Sequence, residues 1–93
     1  MIKVIIERHI AAGMESTYDH AIKDTLRAML EAQGYVSGAT YKDMKDGNHR
    51  VIITNWQNQE AWSQWFKSQE RRNAIASIQP ILETEEKITI LTA

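Results

Sequence analysis

The sequence lacks cysteine altogether and has a single proline among its 93 residues. Without thiols there can be no disulfide framework, no thiolate zinc site and no cysteine nucleophile. The absence of cysteine also fits a reducing compartment, so we expect a cytoplasmic protein. The one proline, Pro80, predicts the end of a helix, because proline cannot continue the helical hydrogen-bond ladder.

The chain also lacks a dominant charge and a long apolar run. Its 11 basic and 12 acidic residues give a formal net charge of −1, so no large uniform field attracts nucleic acid or an acidic membrane. No stretch approaches transmembrane length, and the apolar run near the first residue is too short for a signal peptide. We therefore expect neither a nucleic acid nor a membrane as partner.

What the chain does contain is an ordinary globular composition, with 43% hydrophobic and 25% charged residues. Its length and composition predict one domain over residues 1–93. A chain this short buries only roughly 60 to 65% of the surface that it exposes when unfolded. We therefore expect the chain to dimerise, because a dimer interface buries additional surface.

The apolar pattern alternates between strands and helices along the whole chain. A β-branched run is typical of a covered, central strand, and spacing of three and four residues indicates amphipathic helices. In chain order, we predict a strand at Ile2 to Ile10, a helix at Met14 to Leu30, strands at Tyr35 to Lys42 and His49 to Trp56, a helical region divided at Ser68, and a strand at Glu86 to Thr92.

Local signals mark several ends of these elements. Gly34 predicts the stop of the first helix, and Asn58 predicts the cap of the second. Asp46 and Gly47 predict a tight hairpin, because this pair supplies the positive backbone angles that such turns need.

The order of elements predicts an α+β, ferredoxin-like fold, in which both helices cover one face of a four-stranded antiparallel sheet. Apolar residues on the other face of the first strand would then lack a covering layer. A second copy of the sheet would provide one, so we expect a homodimer.

The segment from Asn55 to Ser68, NWQNQEAWSQWFKS, resembles the antibiotic biosynthesis monooxygenase domain, in which a strand ends in Trp and a helix with a second Trp follows. The opening VIIER and Gly13 are similar to the first strand and turn of the same family. The resemblance implies a dimeric α+β barrel, with a substrate cleft between the helices and the sheet of each subunit. It also implies one of three functions: cofactor-independent oxygenation of phenols and quinols, haem degradation, or ligand binding without a reaction.

Two branches of the family are matched only in part. The haem-degrading branch resembles this chain at Trp65, but Glu7 stands where that branch has Asn, and Ile75 stands where it has its axial His. The polyketide-oxygenating branch resembles it at Trp56 and Trp62. That branch's strand Asn falls at Ile52.

The three tryptophans, Trp56, Trp62 and Trp65, are the candidate substrate-binding residues, because flat indoles suit a flat aromatic ligand. Trp65 is the first choice among them. The alternative is that they are core residues, since Trp62 and Trp65 lie three apart on one helical face. Arg72 is a candidate for holding an acidic substrate group, and the alternative is an exposed arginine in solvent.

Glu7 and His9 are the candidates for a catalytic base. They alternate with Ile6 and Arg8, so both face the side of the strand that carries Ile5. For each, a structural or half-exposed role is the alternative. The histidines are scattered through the sequence, so we expect no metal site. The oxygenation that the resemblance implies is cofactor-independent, so we expect no cofactor either.

Two classes of function follow. The first is a cofactor-independent monooxygenase acting on a small hydrophobic phenol or quinol. The second is a non-catalytic ligand-binding or stress-associated dimer that holds a small hydrophobic aromatic ligand. Haem degradation is a third, less supported alternative.

Overall fold

The structure, a computed structural model, describes all 93 residues. Four strands and three α-helices alternate along the chain. They are β1 (Ile2–His9), α1 (Glu15–Leu30), β2 (Tyr35–Lys42), β3 (His49–Trp56), α2 (Gln59–Lys67), α3 (Gln69–Ile75) and β4 (Lys87–Thr92), with a short 3-10 helix at Gln79–Ile81 before β4.

The strands form one antiparallel sheet in the order β2-β3-β1-β4. The β-branched strand β1 is therefore central, as its sequence predicted. Its Ile6 pairs with Ile52 of β3 on one side and with Ile88 of β4 on the other. The α+β, ferredoxin-like fold predicted from the order of the elements is confirmed.

The alternation along β1 gives the sheet one covered and one open face. Val4, Ile6 and Arg8 are at most 2% exposed and lie under the helices. Ile5 is half-buried and His9 is exposed, because they point to the opposite face. Within one chain, no helix covers that second face.

The core lies between the covered face and the helices. Thirteen buried residues form one hydrophobic cluster, to which α1 contributes Tyr18, Ile22 and Met29. Leu30, which the helical spacing placed on the same apolar face, is 68% exposed instead and is the last residue of α1. No helix combines the length and the apolar character needed to cross a membrane.

The helix ends predicted at Gly34, Asn58 and Ser68 are confirmed, but the end predicted at Pro80 is wrong. α3 already ends at Ile75, and Pro80 lies inside the 3-10 helix Gln79–Ile81, where a first-turn position needs no backbone N–H donor. The side chain of Asn58 accepts a hydrogen bond from the Ala61 backbone N–H at 2.8 Å, and Ser68 separates α2 from α3. Gly34 follows α1 with φ of +85°, and a Cβ placed there would lie 2.4 Å from the Cβ of Ala61. Glycine is therefore required at position 34 both for its backbone angle and for the approach of α2.

The hairpin between β2 and β3 forms, but not by the turn that its sequence predicted. Gly47 has no positive φ, since Gly13 and Gly34 alone have one. Side chains hold the loop instead: Asp43 accepts from the Lys45 N–H at 2.8 Å, and Asp46 accepts from the Asn48 N–H at 3.0 Å. Aspartate side chains commonly stabilise loops in this way, and such bonds make a two-residue turn unnecessary.

Candidate functional site

The three tryptophans meet in one cluster at the end of β3. The ring of Trp56 meets that of Trp62 edge-on, with centroids 5.6 Å apart, and lies 6.4 Å from that of Trp65. Trp56 is fully buried, and its Nε1–H donates to the Thr54 hydroxyl at 3.0 Å. Trp56 is therefore a core residue with its polar atom satisfied, and Trp62 is 3% exposed beside it.

Trp65 alone among the three lines a large cavity. This cavity, here called the Trp65 slot, has a volume of about 480 Å³, within the usual range of small-ligand sites. It is formed by the end of α1, by α2 and by the start of α3. The lining residues are Ala28, Glu31, Ala32, Gln33, Ala61, Gln64, Trp65, Ser68 and Glu70.

The lining of the Trp65 slot suits a flat, uncharged ring. Besides Trp65, its apolar residues are three alanines, and their short side chains leave open space beside the indole. Its charged residues are Glu31 and Glu70, and no lysine, arginine or histidine lines it. The slot therefore offers an aromatic wall and two carboxylates.

A second cavity of about 470 Å³, here called the Phe66 cleft, lies before β4. Phe66, Leu82 and Ile88 are its apolar residues, and its polar residues are Gln79, Glu83, Thr84, Glu85 and Glu86. The ring of Phe66 is covered by the guanidinium of Arg71, whose carbon lies 4.7 Å from the ring centroid. The Phe66 cleft is thus more acidic than the Trp65 slot.

Behind the Phe66 cleft lies a buried network in which two arginines share one carboxylate. Arg8 Nε donates to Glu86 Oε2 at 3.1 Å, and Arg71 donates to Glu86 Oε1. Arg8 also donates to the Tyr18 hydroxyl at 3.2 Å. Because Arg8 and Arg71 are only 2% and 6% exposed, each depends on Glu86 as its charged partner.

The structure assigns different positions to the two neighbouring arginines. Arg72, the candidate chosen from the sequence, is exposed and lines neither cavity, and its side chain hydrogen-bonds to Gln69 on its own helix. Arg71 is the buried one. The available signal was spacing, since Arg71 precedes the buried Ile75 by four residues and therefore shares its helix face.

Glu7 and His9 lie on the open face of the sheet. They share that face with Ile5, as the alternation predicted, but this places them across the sheet from the tryptophans. The physical reason is the two-residue period of β1, which turns Arg8 inward and its two neighbours outward. The structure therefore does not bring Glu7 and His9 together with Trp56, Trp62 and Trp65.

On the open face, Glu7 and His9 instead surround a third residue, His49. The Nε2 and Nδ1 atoms of His49 lie 3.2 Å from Glu7 and 3.0 Å from Asp43, and its ring stacks on His9 at 4.7 Å. Hydrogen bonds to Asp43 and then to Glu7 raise the pKa of His49. The bond to His49 likewise lowers the pKa of Asp43. The sequence did not reveal this cluster, because it depends on the register that pairs His9 with His49.

Comparison with known proteins agrees with the fold. A profile of the family described as antibiotic biosynthesis monooxygenase matches residues 1–77. No curated protein sequence matches the chain. One solved structure, of an antibiotic biosynthesis monooxygenase, superposes with a TM-score of 0.91 at 16% identity, covering 100% of this chain and 98% of that chain.

Two further solved structures share the fold. A conserved protein from Methanosarcina mazei Go1 superposes with a TM-score of 0.88 at 14% identity, covering 97% of this chain and 89% of that chain. SnoaB, a cofactor-independent oxygenase from Streptomyces nogalater, gives a TM-score of 0.85 at 13% identity, covering 99% and 92%. At these identities the superpositions show a common fold and no more.

Proposed function

This chain belongs to the antibiotic biosynthesis monooxygenase family, and on that premise we propose that it is a cofactor-independent monooxygenase acting on a small hydrophobic phenol or quinol. The observation that carries the proposal is the Trp65 slot. It combines an indole wall with alanines and two carboxylates in a space of about 480 Å³. Apolar walls with a few polar groups are the usual composition of a small-molecule site.

The proposed reaction needs no electron donor other than the substrate. A phenol loses its hydroxyl proton, and the phenolate reduces dioxygen. One oxygen atom forms a new carbonyl on the ring, and the other leaves as water. Phenol plus dioxygen gives quinone plus water, so the four electrons that dioxygen accepts all come from the ring.

The protein's part in this reaction is to exclude water and to accept the proton. A phenol in the Trp65 slot meets Glu31 and Glu70, which line it. Glu7 and His9, which the sequence suggested as the base, face the other side of the sheet. We therefore assign proton transfer to a slot carboxylate.

We further propose that the protein is a homodimer that packs through the open face of its sheet. Ile5, Val51 and Ile53 are only half-buried there, and Tyr41 and Leu91 are 55% and 45% exposed. Apolar residues on adjacent strands form a continuous patch, and a second copy would cover it. Sedimentation of the purified protein should give twice the monomer mass of 10.7 kDa.

Oxygen consumption tests the proposed reaction. Metal-free protein is mixed with a panel of naphthols, naphthalenediols and anthracenols in an oxygen electrode, with no flavin or reductant added, and products are identified by mass spectrometry. At least one substrate should consume one dioxygen per quinone formed. Saturable tryptophan quenching by these compounds without any oxygen uptake would instead support the non-catalytic binding protein.

Four single variants locate the base once a substrate is known. Glu31→Gln and Glu70→Gln remove the slot carboxylates, and Glu7→Gln and His9→Ala remove the residues on the open face. Loss of a catalytic base typically lowers the rate by roughly 10²- to 10⁴-fold. We expect this loss in the first pair. A loss confined to the second pair would place the chemistry on the open face.

A further inference from the structure

Trp65 holds an unsatisfied hydrogen-bond donor. Its Nε1 is the one buried side-chain polar atom without a partner. In contrast, Nε1 of Trp56 donates to Thr54 at 3.0 Å in the same cluster. The large majority of buried side-chain polar atoms in proteins have a partner, so an exception requires a physical explanation.

The surroundings of Trp65 offer a reason. The residue is 4% exposed and lines the slot in which the proposed substrate binds. The hydroxyl of Ser68, which also lines the slot, is already engaged, since it donates to the Trp65 backbone carbonyl at 2.6 Å and accepts from the Arg71 N–H at 3.1 Å. The indole N–H is therefore left for an acceptor that the chain itself does not supply.

We propose that the Trp65 N–H donates to a carbonyl oxygen of the bound ligand. This inference rests on the proposed function and narrows its substrate class to flat phenols or quinols that carry an uncharged carbonyl group. The carbonyl must be uncharged because Glu31 and Glu70 line the slot without any basic residue, so a carboxylate ligand would be repelled. Less than 1 Å² of Nε1 is exposed, so the ligand has to displace a side chain to reach it, and the slot lining includes the exposed Gln64.

Three unreactive ligands of one shape test the acceptor. Fluorene has no acceptor, fluorenone adds a carbonyl to the same flat frame, and fluorene-1-carboxylate adds a charged acceptor. Their dissociation constants are measured by calorimetry for the wild-type protein, for Trp65→Phe and for the control Trp62→Phe. We expect the fluorenone-to-fluorene preference to fall by roughly 5- to 150-fold in Trp65→Phe, as for a buried donor that loses its partner. Trp62→Phe should keep the preference, and the carboxylate should bind most weakly to the wild-type protein.

An NMR measurement on the wild-type protein makes the test independent of how well Trp65→Phe folds. The three tryptophans give three indole N–H signals. Fluorenone should move the Trp65 proton signal downfield, fluorene should not, and the Trp56 signal should stay in place because its N–H is already bonded. Equal shifts with both ligands, or a preference that survives in Trp65→Phe, would overturn the inference.

The two proposals fail in different ways. If phenols consume oxygen but fluorenone leaves the Trp65 signal unmoved, the inference is overturned and the monooxygenase function stands. If fluorenone moves that signal but no phenol in the panel consumes oxygen, the acceptor site stands and the monooxygenase function is overturned.

Discussion

Replacing Glu86 with Gln should destabilise the protein severely. The change removes the one carboxylate that Arg8 and Arg71 share and leaves two buried guanidiniums with no opposite charge beside them. Glutamine has nearly the same shape and retains a single oxygen acceptor. It can therefore satisfy one arginine by a neutral hydrogen bond, but it cannot neutralise either of them.

The magnitude follows from the burial of the partners. Breaking a buried ion pair from one side costs roughly 3–5 kcal/mol. Glu86 is itself 16% exposed, and glutamine keeps one acceptor, so we expect a loss of about 2–4 kcal/mol. A protein of this length has a free energy of unfolding of about 5–14 kcal/mol. The midpoint of thermal unfolding should fall by roughly 10–30 °C.

Urea unfolding followed by tryptophan fluorescence measures this loss, at one fixed protein concentration because dimerisation would contribute to stability. Glu85→Gln is the matched control: it lines the same Phe66 cleft, is exposed, and should change the free energy of unfolding by less than about 0.5 kcal/mol. If Glu86→Gln proves as stable as Glu85→Gln, Glu86 is not the charge partner on which the two arginines depend.

Three further tests, with four variants, address the fold and the open face. Gly34→Ala should lower the free energy of unfolding by about 2–4 kcal/mol, because the strain of a positive φ and the clash with Ala61 add together. Gly13→Ala has the same φ but open space around it, so it should cost about 1 kcal/mol. Equal losses in urea unfolding would contradict the clash. Asn58→Ala should cost about 1 kcal/mol through the lost cap, and an unchanged free energy of unfolding would show that the cap contributes nothing. His49 has a raised pKa in the folded protein, so its ion pairs stabilise below its unfolded pKa of about 6.5 and cease to do so as pH rises through the folded pKa. The stability difference between wild type and His49→Gln should therefore shrink as the pH rises above about 6.5 and through the folded pKa of His49, and a pH-independent difference would refute this.

The elements of the fold could be predicted because their signals are local. The β-branched run of β1 and the cap at Asn58 depend on neighbouring residues alone, and both were confirmed. The turn at Gly47 was predicted wrongly for the same reason. A dipeptide signal was outweighed by side-chain hydrogen bonds within the loop, which a longer connection makes possible.

The site could be predicted only in part, because it depends on distant partners. The tryptophan cluster was visible from its spacing, and Trp65, the first candidate for ligand contact, is the tryptophan that lines the slot. The inward position of Arg8 follows from the same alternation that turned Glu7 outward, but nothing local indicates that Glu86, 78 residues later, would pair with it. Such partners are fixed by the sheet register and the final loop.

The claim that oxygenation takes place in the Trp65 slot is tested most directly by blocking the slot. Ala28→Leu places a larger side chain in it from α1, where leucine is a good helix former, and Thr17→Leu makes a similar addition at an exposed position of the same helix. With the best phenol of the panel, the wild-type protein and Thr17→Leu should consume oxygen at equal rates. Ala28→Leu should lose at least about nine-tenths of the rate, a tenfold decrease that corresponds to about 1.4 kcal/mol of activation free energy. Equal oxygen consumption by Ala28→Leu and the wild-type protein would contradict the assignment of the reaction to this slot.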